Sequence, residues 1–219
     1  MFDGVIFDCD GVLVDSERIG VHIDRAVLAE VGLNFTVEEV VSTFMGKSDK
    51  HFVDTVEAMI GGPVPDGWLD EISNRYQTAF ETELTAVPGI VEALDSLQLP
   101  HCVASSGTHE KMRFTLGKTG LLNRFENKLF SSTQVERGKP EPDLFLYAAN
   151  QMGWEPSRCL VVEDSHAGVM AGLSAGMKVA AYAGGFLKHE NHKHENIVVI
   201  QEMSELSKLL SEPSLWSTS

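Results

Sequence analysis

Five short apolar runs punctuate the chain, at residues 5–8, 102–105, 128–131, 160–163 and 179–182. Each has the length of a buried strand. Segments with helical spacing of apolar positions lie at 90–97, 110–119, 143–151 and 167–175. Their alternation with the runs predicts an α/β fold, a doubly wound parallel sheet with helices on both faces. In such sheets ligands gather at the carboxyl ends of the strands. Four of the runs end in, or run into, polar side chains: Asp8, Ser105, Ser132 and the pair Glu163-Asp164. A strand buried on both faces has no use for polar residues. Their position at strand ends therefore points to a site.

The alternation breaks after the first run. Helical patterns follow at 18–31, 37–44, 50–60 and 69–84, with a loop at Gly61-Gly62-Pro63-Val64-Pro65. No strand pattern returns until residue 102. The sequence thus predicts a helical domain, residues 15–83, inserted into a core made of residues 1–14 and 84–219.

Composition narrows the class. A length of 219 residues suits one domain or two small ones, and 43% apolar residues suffice for a core. No apolar run is long enough to cross a bilayer, and the first residues lack the features of a secretory signal. Cys9, Cys102 and Cys159 form no CxxC pair and no even disulfide set. A reducing cytoplasm is the expected setting. The net charge of −15 argues against nucleic acid or an anionic membrane as partner. No extra element calls for an oligomer, so a monomer is expected.

Four stretches carry candidate chemistry. In Phe7-Asp8-Cys9-Asp10-Gly11, two carboxylates two residues apart close an apolar strand. In an extended strand they would face the same side and repel unless a cation lies beside them. An oxygen-rich site of this kind suits Mg²⁺, although Asp before Gly is also ordinary turn chemistry. Ser105-Ser106-Gly107-Thr108 places hydroxyls at a strand-to-helix turn, where they either bind phosphate or cap the helix. Lys139, between Gly138 and Pro140 and just ahead of a helical segment, is a point charge that could neutralise phosphate, or a solvated turn lysine. Glu163-Asp164-Ser165 closes another strand with two acids, which could cap a helix or complete a metal shell.

Taken in order (paired Asp, Ser, Lys, acid pair), these stretches resemble the four motifs of the haloacid dehalogenase superfamily. The helical insert stands where that family has its cap. The resemblance extends to about Tyr182 and is similar to the branch of beta-phosphoglucomutase and the small sugar-phosphate phosphatases. It implies a sheet order of 5-4-1-2-3 and a phosphoric monoester hydrolase acting on a small-molecule phosphate ester, a sugar phosphate or sugar-acid phosphate. Asp8 would be the nucleophile that becomes phosphorylated. Asp10 would protonate the leaving alkoxide and then activate water. Ser105, Ser106 and Lys139 would bind the phosphoryl group. Mg²⁺ would be held by Asp8, the Asp10 backbone carbonyl and Asp164, with Glu163 in or just outside the shell. Cap closure would exclude water during attack on phosphorus, and cap residues would choose the substrate.

Departures from neighbouring branches refine the expectation. Haloacid dehalogenases proper and phosphonate hydrolases lack the second acid of the first motif, so Asp10 disfavours both. Beta-phosphoglucomutase is the nearer rival. It has a histidine leading into the cap where this chain has Gly20, and an arginine for the second phosphate where this chain has Asp49. Simple hydrolysis is therefore expected over a phosphosugar mutase. A non-catalytic phosphometabolite-binding module is a further alternative, opposed by the intact set of Asp8, Asp10, Lys139 and Asp164. Lys47, in Gly46-Lys47-Ser48, is a candidate substrate contact from the cap. The P-loop it suggests fails, because the required earlier glycine falls at Val41. His189, His192 and His194 lie in a polar aperiodic stretch read as a solvated loop, not a metal site.

Overall fold

In the computed structural model, residues 2–45, 47, 49–186 and 194–216 are described. Among the described residues, six strands form one parallel sheet: β1 (Gly4–Phe7), β2 (His101–Ser105), β3 (Leu129–Ser131), β4 (Cys159–Glu163), β5 (Lys178–Tyr182) and β6 (Ile197–Ile200). Their order is β3-β2-β1-β4-β5-β6. In register, Ile6 of β1 lies between Cys102 of β2 and Val161 of β4. The order expected from the resemblance is present, with β6 added at its edge beside β5. The run Ile197-Val198-Val199-Ile200 is a strand beyond the five that the sequence pattern predicts. It pairs along β5 through all four of its residues and opens the sheet by one strand.

From β1 to β5 each connection contains helix, as parallel pairing commonly requires. The helices are α1 (Ser16–Glu30), α2 (Val37–Phe44), α3 (Asp49–Ile60), α4 (Trp68–Glu83), α5 (Ile90–Ser96), α6 (His109–Lys118), α7 (Asp143–Met152), α8 (His166–Ser174) and α9 (Leu206–Ser211). The chain divides into two compact units, Met1–Asp15 with Thr85–Ser219, and Ser16–Leu84.

In the sheet unit, Ile6, Val161, Val179 and Ala181 turn one face toward α7 and α8. There they bury Phe145, Ala148, Val169 and Ala171. Side chains alternate across a strand, so Phe7 faces the other way, edge-on to Phe125 at 6.3 Å between ring centroids. Each fully buried side chain of this size contributes roughly 1.5–3 kcal/mol. The two chain crossings at the end of this unit are stitched together. Asp15 N–H donates to the Thr85 carbonyl at 2.9 Å, and Val87 N–H donates to Leu13 at 3.1 Å.

The helical unit buries Ile19, Val27 and Leu28 of α1 and Val40 and Phe44 of α2. Phe52 meets Phe44 edge-on, with centroids 4.8 Å apart, and stacks on Trp68 at 5.8 Å. Arg75 of α4 holds Glu30 of α1 by two hydrogen bonds, at 2.7 and 3.1 Å. Thr36 and Glu39 form a capping box at the start of α2. Among the described residues no helix is long and apolar enough to cross a membrane.

Candidate active site

Four strand ends of the sheet unit carry the polar groups. β1 stops at Phe7, and Asp8 follows, its N–H donating to the Val162 carbonyl of β4 at 2.9 Å. The chain then coils tightly. Leu13 and Val14 both donate to the Cys9 carbonyl, and Gly11 N–H donates to Val14 at 2.8 Å. Gly11 has φ 76°, a left-handed conformation in which a side chain is strained. The glycine after the second aspartate is thus needed for the turn that presents Asp8 and Asp10.

Lys139 enters ahead of α7 with its side chain buried. Its Nζ donates to Asp8 Oδ1 and to Glu163 Oε1, at 2.6 Å each. It also lies over the Phe145 ring, 4.9 Å from the centroid. Asp8, Glu163 and Asp164 are all buried, and each offers a carboxylate oxygen within 4.8 Å of the others. Glu163 Oε2 accepts from the N–H and hydroxyl of Ser165 at 2.8 and 2.9 Å. Ser165 in turn caps α8 by accepting from Gly168 N–H at 3.0 Å. One serine therefore starts the helix and fixes the glutamate that steadies the lysine.

Electrostatics follow from this packing. Burial disfavours the Asp8 carboxylate and raises its pKa above its ordinary 3.8; Lys139 opposes that shift and Glu163 adds to it. Burial disfavours the charged form of Lys139 too, but Asp8 and Glu163 outweigh it and hold the ammonium protonated. The cluster nevertheless gathers three carboxylates around one ammonium. Cys9 is no nucleophile, since burial, Asp10 and Asp8 push its thiol up.

Ser105 ends β2 and is buried, its Oγ accepting from Gly107 N–H at 3.0 Å. Ser106 is exposed. Its carbonyl accepts from Ser132 Oγ at 2.7 Å, and Ser131 Oγ donates to the Gly107 carbonyl at 2.7 Å. The turns after β2 and β3 are thereby tied at the same end of the sheet. Asp10 is partly exposed, and its Oδ2 accepts from Lys111 Nζ of α6 at 2.8 Å. Burial lowers the pKa of Lys111, but the Asp10 charge and hydrogen bond, with the nearby Cys9 and Asp8, together outweigh it and raise the pKa above its ordinary 10.5. Sequence reading had passed over Lys111.

Asp8, Lys139, Glu163 and Asp164 thus meet in the structure, with Asp10 and Ser105 at neighbouring strand ends of the same unit. Lys47 belongs to the helical unit, where it is exposed and its N–H donates to the Phe44 carbonyl at 3.0 Å. His189 and His192 lie outside the described residues. His194 is exposed, and its Nδ1 accepts from Asn196 N–H at 3.1 Å.

Known proteins share this arrangement. The profile of the haloacid dehalogenase-like hydrolases matches residues 5–182. The 6-phosphogluconate phosphatase of Escherichia coli (strain K12) is 32% identical over 216 residues, covering 98% of this chain and 94% of its own. The crystal structure of a conserved haloacid dehalogenase-like protein from Agrobacterium tumefaciens superposes with a TM-score of 0.86 at 32% identity, covering 96% and 98% of the two chains. A haloacid dehalogenase family hydrolase from Deinococcus radiodurans, solved with bound phosphate and sodium, superposes with a TM-score of 0.84 at 31% identity, covering 100% and 99%. With its four polar strand ends and this extent of likeness, the chain belongs to the haloacid dehalogenase-like hydrolase family.

Proposed function

We propose that the chain is a phosphoric monoester hydrolase that cleaves a sugar phosphate or sugar-acid phosphate through an aspartyl-phosphate at Asp8. The observation that carries this reading is the buried Lys139 bridging Asp8 and Glu163 at 2.6 Å each, with the Asp164 carboxylate alongside. An anionic nucleophile meets a phosphate dianion only where positive charge offsets the repulsion. Lys139 supplies one such charge.

The residues also fit a divalent cation. Three buried carboxylates around one ammonium leave the cluster net negative, and buried uncompensated charge is costly. The donors are all hard oxygens, which suit Mg²⁺. Asp8, Asp164 and the Asp10 carbonyl would hold it. Glu163, engaged by Lys139 and Ser165, would stand at the edge of the shell. When bound, Mg²⁺ supplies charge neutralisation at the phosphoryl oxygens.

Asp8 attacks phosphorus in line, forming an acyl phosphate at its carboxylate oxygen as the bond to the sugar oxygen breaks. Asp10 gives its proton to that departing oxygen, then takes one from the water that cleaves the acyl phosphate. Lys139 and the Ser105 and Ser106 turn hold the transferring group. Phosphate bound in the Deinococcus radiodurans relative and 6-phosphogluconate turnover by the Escherichia coli relative support the substrate class.

The test is a panel of phosphorylated sugars and sugar acids, 6-phosphogluconate included, assayed for phosphate release with Mg²⁺ and with chelator. A hexose 1-phosphate isomerised without phosphate release would instead favour a mutase. Absence of release from every ester would leave a binding module.

A further inference from the structure

We propose that Lys111 is a positioning residue that holds the Asp10 carboxylate for its acid–base work, an inference resting on the hydrolase reading above. Three observations meet at this residue, one at its side chain and two at its backbone. Lys111 Nζ donates to Asp10 Oδ2 at 2.8 Å across 101 residues of sequence. One turn further along α6, Thr115 Oγ1 donates to the Lys111 carbonyl at 3.0 Å and lies 3.8 Å from Cys9 Sγ. At the start of the helix, Thr108 Oγ1 accepts from Lys111 N–H at 3.2 Å. One face of α6 thus offers Lys111 and Thr115 to Asp10 and Cys9, the two residues that follow the nucleophile. The lysine stem runs beside the turn after β2, where a β-carbon on Gly107 would make ordinary van der Waals contact, 3.4 Å from both Lys111 Cδ and Ser105 Oγ.

Asp10 needs such a tether. The coil after β1 fixes its backbone through Gly11, Leu13 and Val14, and Lys111 holds one oxygen of its partly exposed carboxylate. General acid–base catalysis requires the carboxyl group within hydrogen-bond reach of the departing oxygen. An error of about 1 Å costs roughly 100-fold in rate. An ion pair this exposed contributes little to stability, so its consequence falls on the orientation of Asp10. Lys111 exchanges no proton and forms no bond in either step.

The experiment compares wild type, Lys111→Met, Lys111→Arg, Asp10→Asn and the double variant Asp10→Asn with Lys111→Met, by kcat and KM for 6-phosphogluconate hydrolysis with Mg²⁺. Lys111→Met should lower kcat about 10- to 100-fold with KM within about threefold. Lys111→Arg, which keeps the charge and the reach, should recover most of the loss. In the Asp10→Asn background the lysine change should cost less than about twofold, because it acts only through Asp10. Equal losses in both backgrounds, an effect on KM alone, or an unchanged kcat in Lys111→Met would overturn the proposal. A wild-type protein that releases phosphate from no ester would remove the hydrolase reading and this inference together, and is told apart because no variant is needed to see it.

Discussion

Gly168 lies beneath Glu163 so closely that a β-carbon on it would overlap the glutamate's carboxyl group. A glycine inside a helix ordinarily costs about 1 kcal/mol relative to alanine. Here it opens the space in which Glu163 reaches Lys139 and Ser165. Gly168→Ala should therefore lose activity despite its better helix propensity. Expected is a fall in kcat of more than about tenfold and a stability loss of about 1–3 kcal/mol, read by steady-state kinetics and urea denaturation. A variant with full activity and higher stability would show that Glu163 does not need this position.

Asp8 is the proposed nucleophile and also one of three crowded acids. Asp8→Asn should cut turnover by more than about a thousandfold, since no other group is placed to form the intermediate. The same change removes a negative charge from the buried cluster. Without metal, Asp8→Asn should melt above the wild type. Added Mg²⁺ should raise the wild-type Tm by several degrees, at about 2–4 °C per kcal/mol for a chain of this size, and raise the variant's less. Equal shifts in thermal denaturation would show that Asp8 does not hold the ion.

Lys139 is the cation common to Asp8 and Glu163. Lys139→Met keeps the length and the packing on Phe145 but leaves two buried carboxylates without their ammonium. Breaking a buried pair in this way costs about 3–5 kcal/mol. The variant should be inactive and markedly less stable at neutral pH, with part of the stability regained on acidification as the carboxylates take up protons. Circular dichroism melts at pH 5 and pH 7.5 check this.

His101 supplies a pH dependence away from the candidate site. Its ring lies 6.3 Å from Phe7 and 5.3 Å from Phe125, and its Nδ1 is 3.1 Å from the Leu99 carbonyl. Burial lowers its pKa below the ordinary 6.5, with the Leu99 carbonyl opposing and Lys128 and Arg124 adding to the shift. The unfolded chain therefore binds more protons below that value than the folded one does. Stability from this residue is present above 6.5 and is lost as pH falls through it toward the folded pKa. His101→Phe should flatten that part of the stability profile between pH 7.5 and 5.5, measured by denaturant midpoints. An unchanged slope would assign the dependence to other groups.

Much of the core was legible because its signals are local. The runs ending at Asp8, Ser105 and Glu163 are short, apolar and β-branched, and the intervening helices carry regular spacing and caps such as Thr108 and Ser165. β6 carried an equally strong local signal in Ile197-Val198-Val199-Ile200. It was overlooked because it ends in no polar group and follows an aperiodic polar stretch. Lys111 escaped for a different reason. A lysine on a helix is most often solvated, and although its spacing from Thr115 puts both on one face, nothing nearby says what that face meets.

The sequence by itself determined which stretches become strands and helices and that polar groups stand at the strand ends, since backbone preference and hydrophobic period act over a few residues. Only the tertiary structure decided that Lys139 reaches both Asp8 and Glu163, that Gly168 makes room for that contact, and that α6 brings Lys111 to Asp10. The ion pairs among them join residues 24 to 131 positions apart. They arise when parallel strands stack their carboxyl ends together, and charge–charge distance is set by that packing rather than by spacing along the chain.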